Sequence, residues 1–249
     1  MSLLYVFAAS PAEAQPVRKI ANSAAPRSSN SAPLGCGPNE VLLITGGMGP
    51  RLAQSKAEVA LGLTSQASAS LKPDAIVVIG LCGGLTATLP EGRIVAYTEC
   101  LSTEGAKQPL RCSQSITDAV ISLLASSNIL CDRVVGVTSP RIATTRDERV
   151  SLARPGAAVV DMETYPIVEA ASRTGVPALV LRVVSDSLDR DLPDFNQALN
   201  DSGSLDGRKA LKVALGSPVR TAKLLAANRR AMQQLSKALE IILAADCFR

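Results

Sequence analysis

The stretch Val159-Val160-Asp161-Met162-Glu163 and, further along the chain, the stretch Leu179-Val180-Leu181-Arg182-Val183-Val184-Ser185-Asp186 decide the fold. Each is a β-type run that ends in a carboxylate. Residues 165–174, between them, have the pattern of a helix that closes at Gly175. The carboxyl ends of parallel strands open onto the ligand crevice of an α/β sheet, so this spacing predicts that Glu163 and Asp186 share one cleft.

The rest of the chain alternates between apolar runs and helical patterns. With 249 residues, 47% of them hydrophobic, it fits one globular domain over residues 1–249. The alternation predicts an α/β fold, in which helices flank a central mixed, mostly parallel sheet. The predicted strands are residues 3–9, 40–45, 75–79, 94–98 and 133–138, together with residues 157–161 and 178–184 of the two runs quoted above. The other predicted helices are residues 12–20 and 51–69.

Two glycine-rich turns directly follow predicted strands: Gly46-Gly47-Met48-Gly49 and Gly80-Leu81-Cys82-Gly83-Gly84-Leu85. Neither fits the dinucleotide-binding pattern G-x-G-x-x-G with its following helix, and neither has the Lys-Ser/Thr pair of a P-loop. We therefore expect no nucleotide cofactor. Glycine at these places instead permits a close approach of the backbone to a ligand.

The composition excludes several classes of function. The chain has no histidine, and its six cysteines form no C-x-x-C pair, so the usual zinc ligand sets cannot be assembled and we expect no metal. Mechanisms that use a Ser-His or Cys-His pair are excluded for the same reason. Three Tyr, three Phe and no Trp argue against a base-stacking platform for nucleic acid. Scattered cysteines favour a reducing, cytoplasmic location.

The two ends of the chain have unusual compositions. Residues 3–9 are apolar and could belong to a signal peptide, but no positive segment precedes them, which favours a first strand. Residues 22–39 are rich in Ser, Ala, Pro and Asn and predict an exposed loop. Residues 207–239 hold eight basic and no acidic side chains, which predicts basic C-terminal helices over residues 207–245. Such a basic face is either merely solvated or associates peripherally with an anionic membrane or a phosphate group.

Carboxylates that follow strands often serve only as helix caps or solvated loop residues. Here, however, the order Asp-Met-Glu, Gly-Val-Pro and Arg-Val-Val-Ser-Asp, ending at Asp186, resembles the purine nucleoside phosphorylase and nucleosidase superfamily, which includes methylthioadenosine/adenosylhomocysteine nucleosidases. The resemblance extends from Tyr5 to the C-terminus. It implies cleavage of the N-glycosidic bond of a purine nucleoside and a homo-oligomer, a dimer or larger.

The resemblance also implies roles for individual residues. Asp186 corresponds to the acid that faces the purine, Glu163 to the carboxylate that holds the ribose hydroxyls, and Met162 to the apolar wall beside the sugar. Glu13, shortly after the first strand, corresponds to the carboxylate that activates water; alternatively, it is a first-turn glutamate that interacts with the helix dipole. The remaining residues expected to bind substrate are Ala9, Met48, Leu81, Cys82, Gly83 and Ser185.

One departure from the family pattern concerns phosphate. Related proteins commonly have Gly-Ser-x-Gly-Gly-Leu where this chain has Leu81 in place of the serine. The serine hydroxyl helps to bind phosphate in phosphorylases, whereas an apolar side chain cannot hydrogen-bond an anion. The early arginine motif that binds phosphate is not evident either. The departure favours hydrolysis over phosphorolysis.

The region after Asp186 carries a second resemblance. The segments Asp189-Arg190-Asp191-Leu192-Pro193, Leu215-Gly216-Ser217-Pro218 and Arg229-Arg230-Ala231 are similar to those of phosphorylase-like proteins associated with hopanoid biosynthesis. That family is assigned the removal of adenine from adenosylhopane, which implies a lipid-linked adenine nucleoside as substrate and an apolar channel to hold it. The alternatives are a soluble methylthioadenosine/adenosylhomocysteine nucleosidase, a purine nucleoside phosphorylase and a non-catalytic nucleoside-binding protein.

Overall fold

The computed structural model describes residues 1–22, 33–64, 71–200 and 206–248. Within these residues, nine strands form one mixed sheet, and seven α-helices and one short 3-10 helix, Phe195–Ala198, pack around it. The strands are β1 (Ser2–Ala8), β2 (Leu34–Cys36), β3 (Asn39–Thr45), β4 (Ala75–Gly84), β5 (Ile94–Ser102), β6 (Leu110–Arg111), β7 (Cys131–Thr138), β8 (Val159–Asp161) and β9 (Ala178–Asp186). The helices are α1 (Pro11–Asn22), α2 (Pro50–Ala60), α3 (Gln114–Ser126), α4 (Arg146–Ala153), α5 (Thr164–Thr174), α6 (Gly207–Gly216) and α7 (Pro218–Leu243).

The sheet closes on itself over part of its width. Its order is β2-β3-β1-β4-β8-β7-β5-β6, and β9 pairs with both β4 and β5. Strands β4, β8, β7, β5 and β9 therefore form a closed ring of paired strands. The β1–β3, β1–β4, β4–β9, β5–β7 and β7–β8 pairs are parallel and the other four are antiparallel. The predicted α/β class, with a mixed, mostly parallel sheet flanked by helices, is confirmed.

Both faces of the sheet are buried. On one face α1, α3 and α7 pack on side chains that include Val6 and Leu181. On the other face α2 and α5 pack on side chains that include Phe7 and Val180. Successive residues of a strand point to opposite faces, so a strand covered on both sides is apolar throughout. This explains the continuous apolar runs by which these strands were predicted.

Some predicted boundaries were wrong. Strand β4 does not end at residue 79; it continues to Gly84, because Gly80 adopts a φ of +146°, which only glycine tolerates well, and Gly83 and Gly84 pair with β8. Strand β5 likewise continues to Ser102, past residue 98. Helix α2 ends at Ala60 because Gly62 takes a left-handed φ of +73°, which closes the helix. Residues 65–69, predicted as its continuation, lie outside the described residues.

The predicted exposed loop over residues 22–39 was wrong where the structure describes it. Residues 34–36 form β2, which pairs with β3, and both Cys36 and Asn39 are buried. The reason lies at the end of α7, whose last carbonyls need hydrogen-bond donors. The side-chain amide of Asn39 donates to the carbonyl oxygens of Leu243, at 3.0 Å, and Ala245, at 2.9 Å. Residues 23–32 lie outside the described part of the chain.

The basic segment forms two helices. Helix α6 buries no side chain, whereas α7 buries Ala231, Leu235 and Leu239 in its second half, against the sheet. Helix α7 ends at Leu243, two residues before the predicted limit. No helix in the described part of the chain combines the length and the apolar character that crossing a bilayer requires.

Candidate active site

A cavity of ≈ 540 Å³ opens at the carboxyl ends of β1, β4, β7, β8 and β9. Helix α7 forms a further wall. All ten residues predicted from the sequence as site residues line this cavity: Ala9, Glu13, Met48, Leu81, Cys82, Gly83, Met162, Glu163, Ser185 and Asp186. The predicted sharing of one cleft by Glu163 and Asp186 is therefore observed.

Glu13 has one oxygen in a helix cap and the other in the cavity region. Its Oε2 accepts hydrogen bonds from the backbone N–H and the hydroxyl of Ser10, which caps the start of α1. Its Oε1 accepts a hydrogen bond from the backbone N–H of Leu81, at 2.9 Å. The alternative of a first-turn glutamate at the start of α1 thus accounts for only one oxygen of Glu13, because the other accepts a hydrogen bond from β4.

Asp161 fixes the segment that carries Met162 and Glu163. Its Oδ1 accepts hydrogen bonds from the backbone N–H groups of Glu163, at 3.0 Å, and Thr164, at 2.9 Å. Its Oδ2 accepts one from the hydroxyl of Tyr97, at 2.9 Å. These bonds hold the start of α5 so that Glu163 faces the cavity.

Arg182 is the buried cation among these carboxylates. Its guanidinium lies 3.6 Å from Glu163 Oε2 and 4.0 Å from Asp161 Oδ1, and donates to the hydroxyl of Thr164 at 2.9 Å. Burial lowers the pKa of Arg182, but the two carboxylates outweigh burial and raise it above its ordinary value. Arg182 therefore stays charged and balances the negative charge at this end of the cavity.

Glu163 titrates near neutral pH. Burial is the largest effect on its pKa, which rises from an ordinary 4.5 to about 7. Arg182 lowers this pKa, whereas the neighbouring Asp161 and Glu13 raise it. A carboxylate that is ionised at and above neutrality can accept hydrogen bonds from the hydroxyls of a sugar.

Asp186 lies at the end of β9 and is held from two sides. The hydroxyl of Ser185 donates to its Oδ1 at 2.6 Å. The guanidinium of Arg149, on α4, lies 2.5 Å from its Oδ2, and both side chains are almost completely buried. Gly83 leaves room for this arrangement, since a Cβ there would lie 3.1 Å from Asp186 Oδ2.

The sequence analysis missed several residues of the cavity. Arg149 lies in the charged run Arg146-Asp147-Glu148-Arg149, which looks like a solvent-exposed helix start. Arg182, which pairs with Glu163 but does not itself line this cavity, left a better signal, because a charge inside an otherwise apolar strand indicates a buried partner of opposite charge. The further cavity residues not predicted are Ser10, Ala12, Arg141, Ile142, Ala143, Val160, Asp161, Leu192, Leu224, Leu225, Asn228, Arg229 and Met232.

Helix α7 supplies a wall with three apolar side chains beside the polar Asn228 and Arg229. Leu224, Leu225 and Met232 face the cavity, and Leu225 is also 62% exposed to solvent. A side chain that both lines the cavity and reaches solvent marks an opening beside α7. The expectation of no metal stays a prediction; among the described residues, no group of three or more Cys, Asp or Glu side chains is arranged to hold a metal ion.

Comparison with known proteins identifies the family of the chain. The family model for the phosphorylase superfamily matches residues 6–214. No curated protein matches the chain.

Solved structures share the fold. One is 5'-methylthioadenosine/S-adenosylhomocysteine nucleosidase from Neisseria meningitidis in complex with methylthio-immucillin-A, at 14% identity and a TM-score of 0.74, covering 98% of this chain and 99% of that one. Another is S-adenosylhomocysteine nucleosidase from Streptococcus pyogenes in complex with 5-methylthiotubericidin, at 15% identity and a TM-score of 0.72. The match covers 98% of this chain and 96% of that one. Futalosine hydrolase of Helicobacter pylori matches at 13% identity and a TM-score of 0.71, and the match covers 97% of each chain.

Proposed function

Since the chain belongs to the phosphorylase superfamily, we propose that it cleaves the N-glycosidic bond of an adenine nucleoside by hydrolysis. The observation that carries this proposal is the meeting of Glu13, Glu163 and Asp186 around one cavity. The similar structures named above, which are nucleosidases and a futalosine hydrolase, support it.

The three carboxylates match the needs of the reaction. As the bond breaks, electrons move into the purine and positive charge develops on the ribose ring. Asp186 faces the base and assists its protonation, Glu163 holds the sugar hydroxyls, and Glu13 takes a proton from the attacking water. Met162 covers the sugar. Because the base leaves with a proton and water supplies the new hydroxyl, the products are free adenine and the sugar.

Hydrolysis is favoured over phosphorolysis by the chemistry around β4. Leu81 offers no hydroxyl to an anion, and its backbone N–H already donates to Glu13. The cation beside β4, Arg182, is engaged by Glu163 and Asp161, whereas Arg141 and Arg229 line the cavity away from position 81 in the sequence. A phosphate ion would therefore meet carboxylates that repel it and no hydroxyl at position 81.

The test is the release of adenine from adenosine and methylthioadenosine, in buffer with and without phosphate. We expect equal rates and a free sugar as product. Release that depends strictly on phosphate, with a sugar 1-phosphate as product, would establish a phosphorylase instead. Tight nucleoside binding without any release would establish a non-catalytic nucleoside-binding protein.

For the group on the sugar, we propose a lipid tail, as in adenosylhopane, which makes the reaction a step of hopanoid biosynthesis. The apolar α7 wall and the exposed Leu225 at its opening support this substrate. A polycyclic hydrocarbon is stabilised by apolar walls at about 25 cal/mol per Å² removed from water. A soluble methylthioadenosine/adenosylhomocysteine nucleosidase is the second candidate, favoured by the similar structures.

A lipid substrate calls for contact with a membrane. Helix α6 and the first half of α7 expose Leu211, Leu215 and Val219, between basic residues. Attraction to an anionic bilayer amounts to about 1 kcal/mol per basic residue near the surface. Arg220 and Arg230 pair with Asp191 and Glu91, so only part of the positive charge is available. We therefore propose a cytoplasmic protein that binds the membrane peripherally, reversibly and in a salt-dependent way.

Vesicles of phosphatidylglycerol and of phosphatidylcholine test this contact by co-sedimentation at low and high salt. We expect binding to the anionic vesicles only, weakened by salt and by Lys212→Glu. Lys19→Glu, at an exposed position of α1, makes the same change of charge outside α6 and α7 and serves as the control. Absence of binding, together with faster turnover of methylthioadenosine than of adenosylhopane, would favour the second candidate. We also propose that the protein forms a homo-oligomer, a dimer or larger, as the family resemblance implies. Light scattering tests this.

A further inference from the structure

Tyr97 is a buried tyrosine that contacts one of the carboxylates of the site. It lies on β5, is fully buried, and donates a hydrogen bond from its hydroxyl to Asp161 Oδ2 at 2.9 Å. Burial and the neighbouring Asp161 raise the pKa of this hydroxyl well above its ordinary value, so it keeps its proton and remains a donor. The ring fits against β7 because position 136 is glycine, where a Cβ would overlap the ring.

The two oxygens of Asp161 have different partners. Oδ1 accepts hydrogen bonds from the backbone N–H groups of Glu163 and Thr164 and from the hydroxyl of Thr138. Oδ2 accepts the hydrogen bond from Tyr97. The start of α5 thus uses one oxygen of Asp161, and Tyr97 satisfies the other.

One guanidinium lies between two carboxylates. Arg182 Nη2 is 3.6 Å from Glu163 Oε2 and 4.0 Å from Asp161 Oδ1. Nη1 donates to the carbonyl of Leu81 at 3.3 Å and Nη2 to the hydroxyl of Thr164, whereas Nε has no hydrogen-bond partner among the described residues. Because a guanidinium has five N–H donors, Arg182 can supply a further hydrogen bond to a carboxylate that lacks a donor.

We propose that Tyr97 is a positioning residue of the ribose site, because its hydroxyl satisfies Asp161 and thereby leaves Arg182 paired with Glu163. The inference rests on the proposed function, in which Glu163 holds the sugar hydroxyls. Tyr97 does not line the cavity, so it acts through Asp161 and Arg182. A buried carboxylate oxygen without a donor is strongly unfavourable. Without the hydroxyl of Tyr97, Asp161 would therefore draw Arg182 away from Glu163.

Other titratable groups lie near this pair of carboxylates on the neighbouring elements: Glu13 of α1, Lys56 of α2, Cys82 of β4 and Cys100 of β5. Burial raises the pKa of both thiols well above the ordinary value, so both stay neutral. Tyr97→Phe adds and removes no charge. A change in the titration of Glu163 in this variant therefore reports the position of Arg182.

The titration of Glu163 tests the proposal without any substrate. The ¹³C signal of its carboxyl, assigned by its loss in Glu163→Gln, should titrate at about pH 7 in the wild type. In Tyr97→Phe we expect a midpoint about one unit higher, since Glu163 loses a nearby opposite charge. Asp161→Asn should lower the midpoint instead, because the negative charge that competes for Arg182 is gone. The amide oxygen can still accept the hydrogen bonds from the start of α5.

Tyr5→Phe is the matched control. It also removes a buried hydroxyl, which donates to the carbonyl of Leu71 at 2.6 Å, and should leave the midpoint unchanged.

Binding of tubercidin, the analogue of adenosine with a C–H at position 7, should follow the same titration. A shift of one unit makes Tyr97→Phe bind about fivefold more weakly at pH 7 and nearly as well as the wild type at pH 9. KM for adenosine should rise at pH 7 more than kcat falls, because the loss concerns the binding of the sugar. A merely structural role would weaken binding equally at both pH values.

An unmoved midpoint in Tyr97→Phe, or a shift to the same side in Tyr97→Phe and Asp161→Asn, would overturn the proposal. If Tyr97→Phe does not fold, Asp161→Asn decides alone: a midpoint that fails to fall would show that Asp161 does not compete for Arg182. Midpoints that shift as expected in a protein that cleaves no nucleoside would refute the proposed function and leave the role of Tyr97 intact.

Discussion

The carboxylate of Glu163 accepts a hydrogen bond of 3.0 Å from the backbone N–H of Gly49, 114 positions earlier in the sequence. Gly49 lies at the start of α2 and has a φ of +94°, which a residue with a side chain rarely adopts. The glycine turn after β3 was expected to let the backbone approach a ligand. It also lets the backbone approach the side chain of Glu163. The position of Glu163 depends on this contact as well as on β8.

Nucleoside binding should strengthen as pH rises from 6 to 8, with a midpoint near 7. The reason is that burial raises the pKa of Glu163 to about 7, and the ribose hydroxyls bind best to its ionised form. Dissociation constants for tubercidin across this range measure the effect. Glu163→Gln should bind weakly and without this pH dependence, whereas Glu240→Gln, on the exposed side of α7, should behave like the wild type. Persistence of the midpoint in Glu163→Gln would assign it to another group.

Asp186→Asn should lower the turnover of adenosine by about 10²–10⁴-fold, since an amide cannot pass a proton to the base. Measuring the rate at saturating substrate separates this loss from weaker binding. Asp189→Asn, three residues later and exposed, is the matched control. A loss of less than about tenfold on that scale would make Asp186 a structural residue.

Glu13→Gln should reduce hydrolysis while the melting temperature and nucleoside affinity change little. The amide oxygen can still accept one of the hydrogen bonds that the carboxylate accepts, from Ser10 or Leu81, but the amide cannot take a proton from water. Rates at saturating adenosine and a thermal melt check both halves. Full activity, or loss of the folded state, would leave Glu13 only its capping role.

Gly80→Ala should abolish activity and destabilise the fold. A Cβ at this position would lie 2.5 Å from both Arg182 Nη1 and Glu13 Oε1, and the φ of +146° disfavours any side chain. Gly35→Ala is the control, because a Cβ there meets no atom within 4 Å. Adenine release and urea unfolding distinguish the two variants; equal behaviour would contradict the close approach at Gly80.

Arg182→Met should lower the free energy of unfolding by about 3–5 kcal/mol, because it leaves Asp161 and Glu163 buried without their cation. Arg133→Met, which breaks the exposed pair of Arg133 with Asp118 at 2.6 Å, should cost only about 0–1 kcal/mol. Urea denaturation at pH 7.5 compares them. Similar costs for both would mean that Arg182 is not needed to balance the buried carboxylates.

The sequence predicts those residues of the site that lie at the ends of strands. Glu163 and Asp186 could be placed in one cleft because strand periodicity and the topology of parallel sheets are local rules. Arg149 could not be placed, since its neighbours Arg146, Asp147 and Glu148 are charged and nothing local marks one arginine of that run as buried. Its burial depends on where the whole of α4 packs.

The same limit applies to the fold. The apolar strands of the central sheet were predictable, but Asn39 and β2 lie in a sequence of small and polar residues with no strand periodicity. Their folded conformation depends on the end of α7, about 200 residues later, because the side chain of Asn39 donates a hydrogen bond to a carbonyl there. The end of α2 was predictable in principle, because Gly62 is a visible stop signal.

The closed ring of β4, β8, β7, β5 and β9 and the helix α7 restrict changes at the cavity to different degrees. Each ring strand is paired on both sides, so a change in the spacing of the residues at its ends must break backbone pairing on one side or the other. The α7 wall has no such constraint, because it touches the cavity through side chains alone. We therefore expect substitutions of the side chains by which α7 faces the cavity to change which nucleosides bind more than they change bond cleavage.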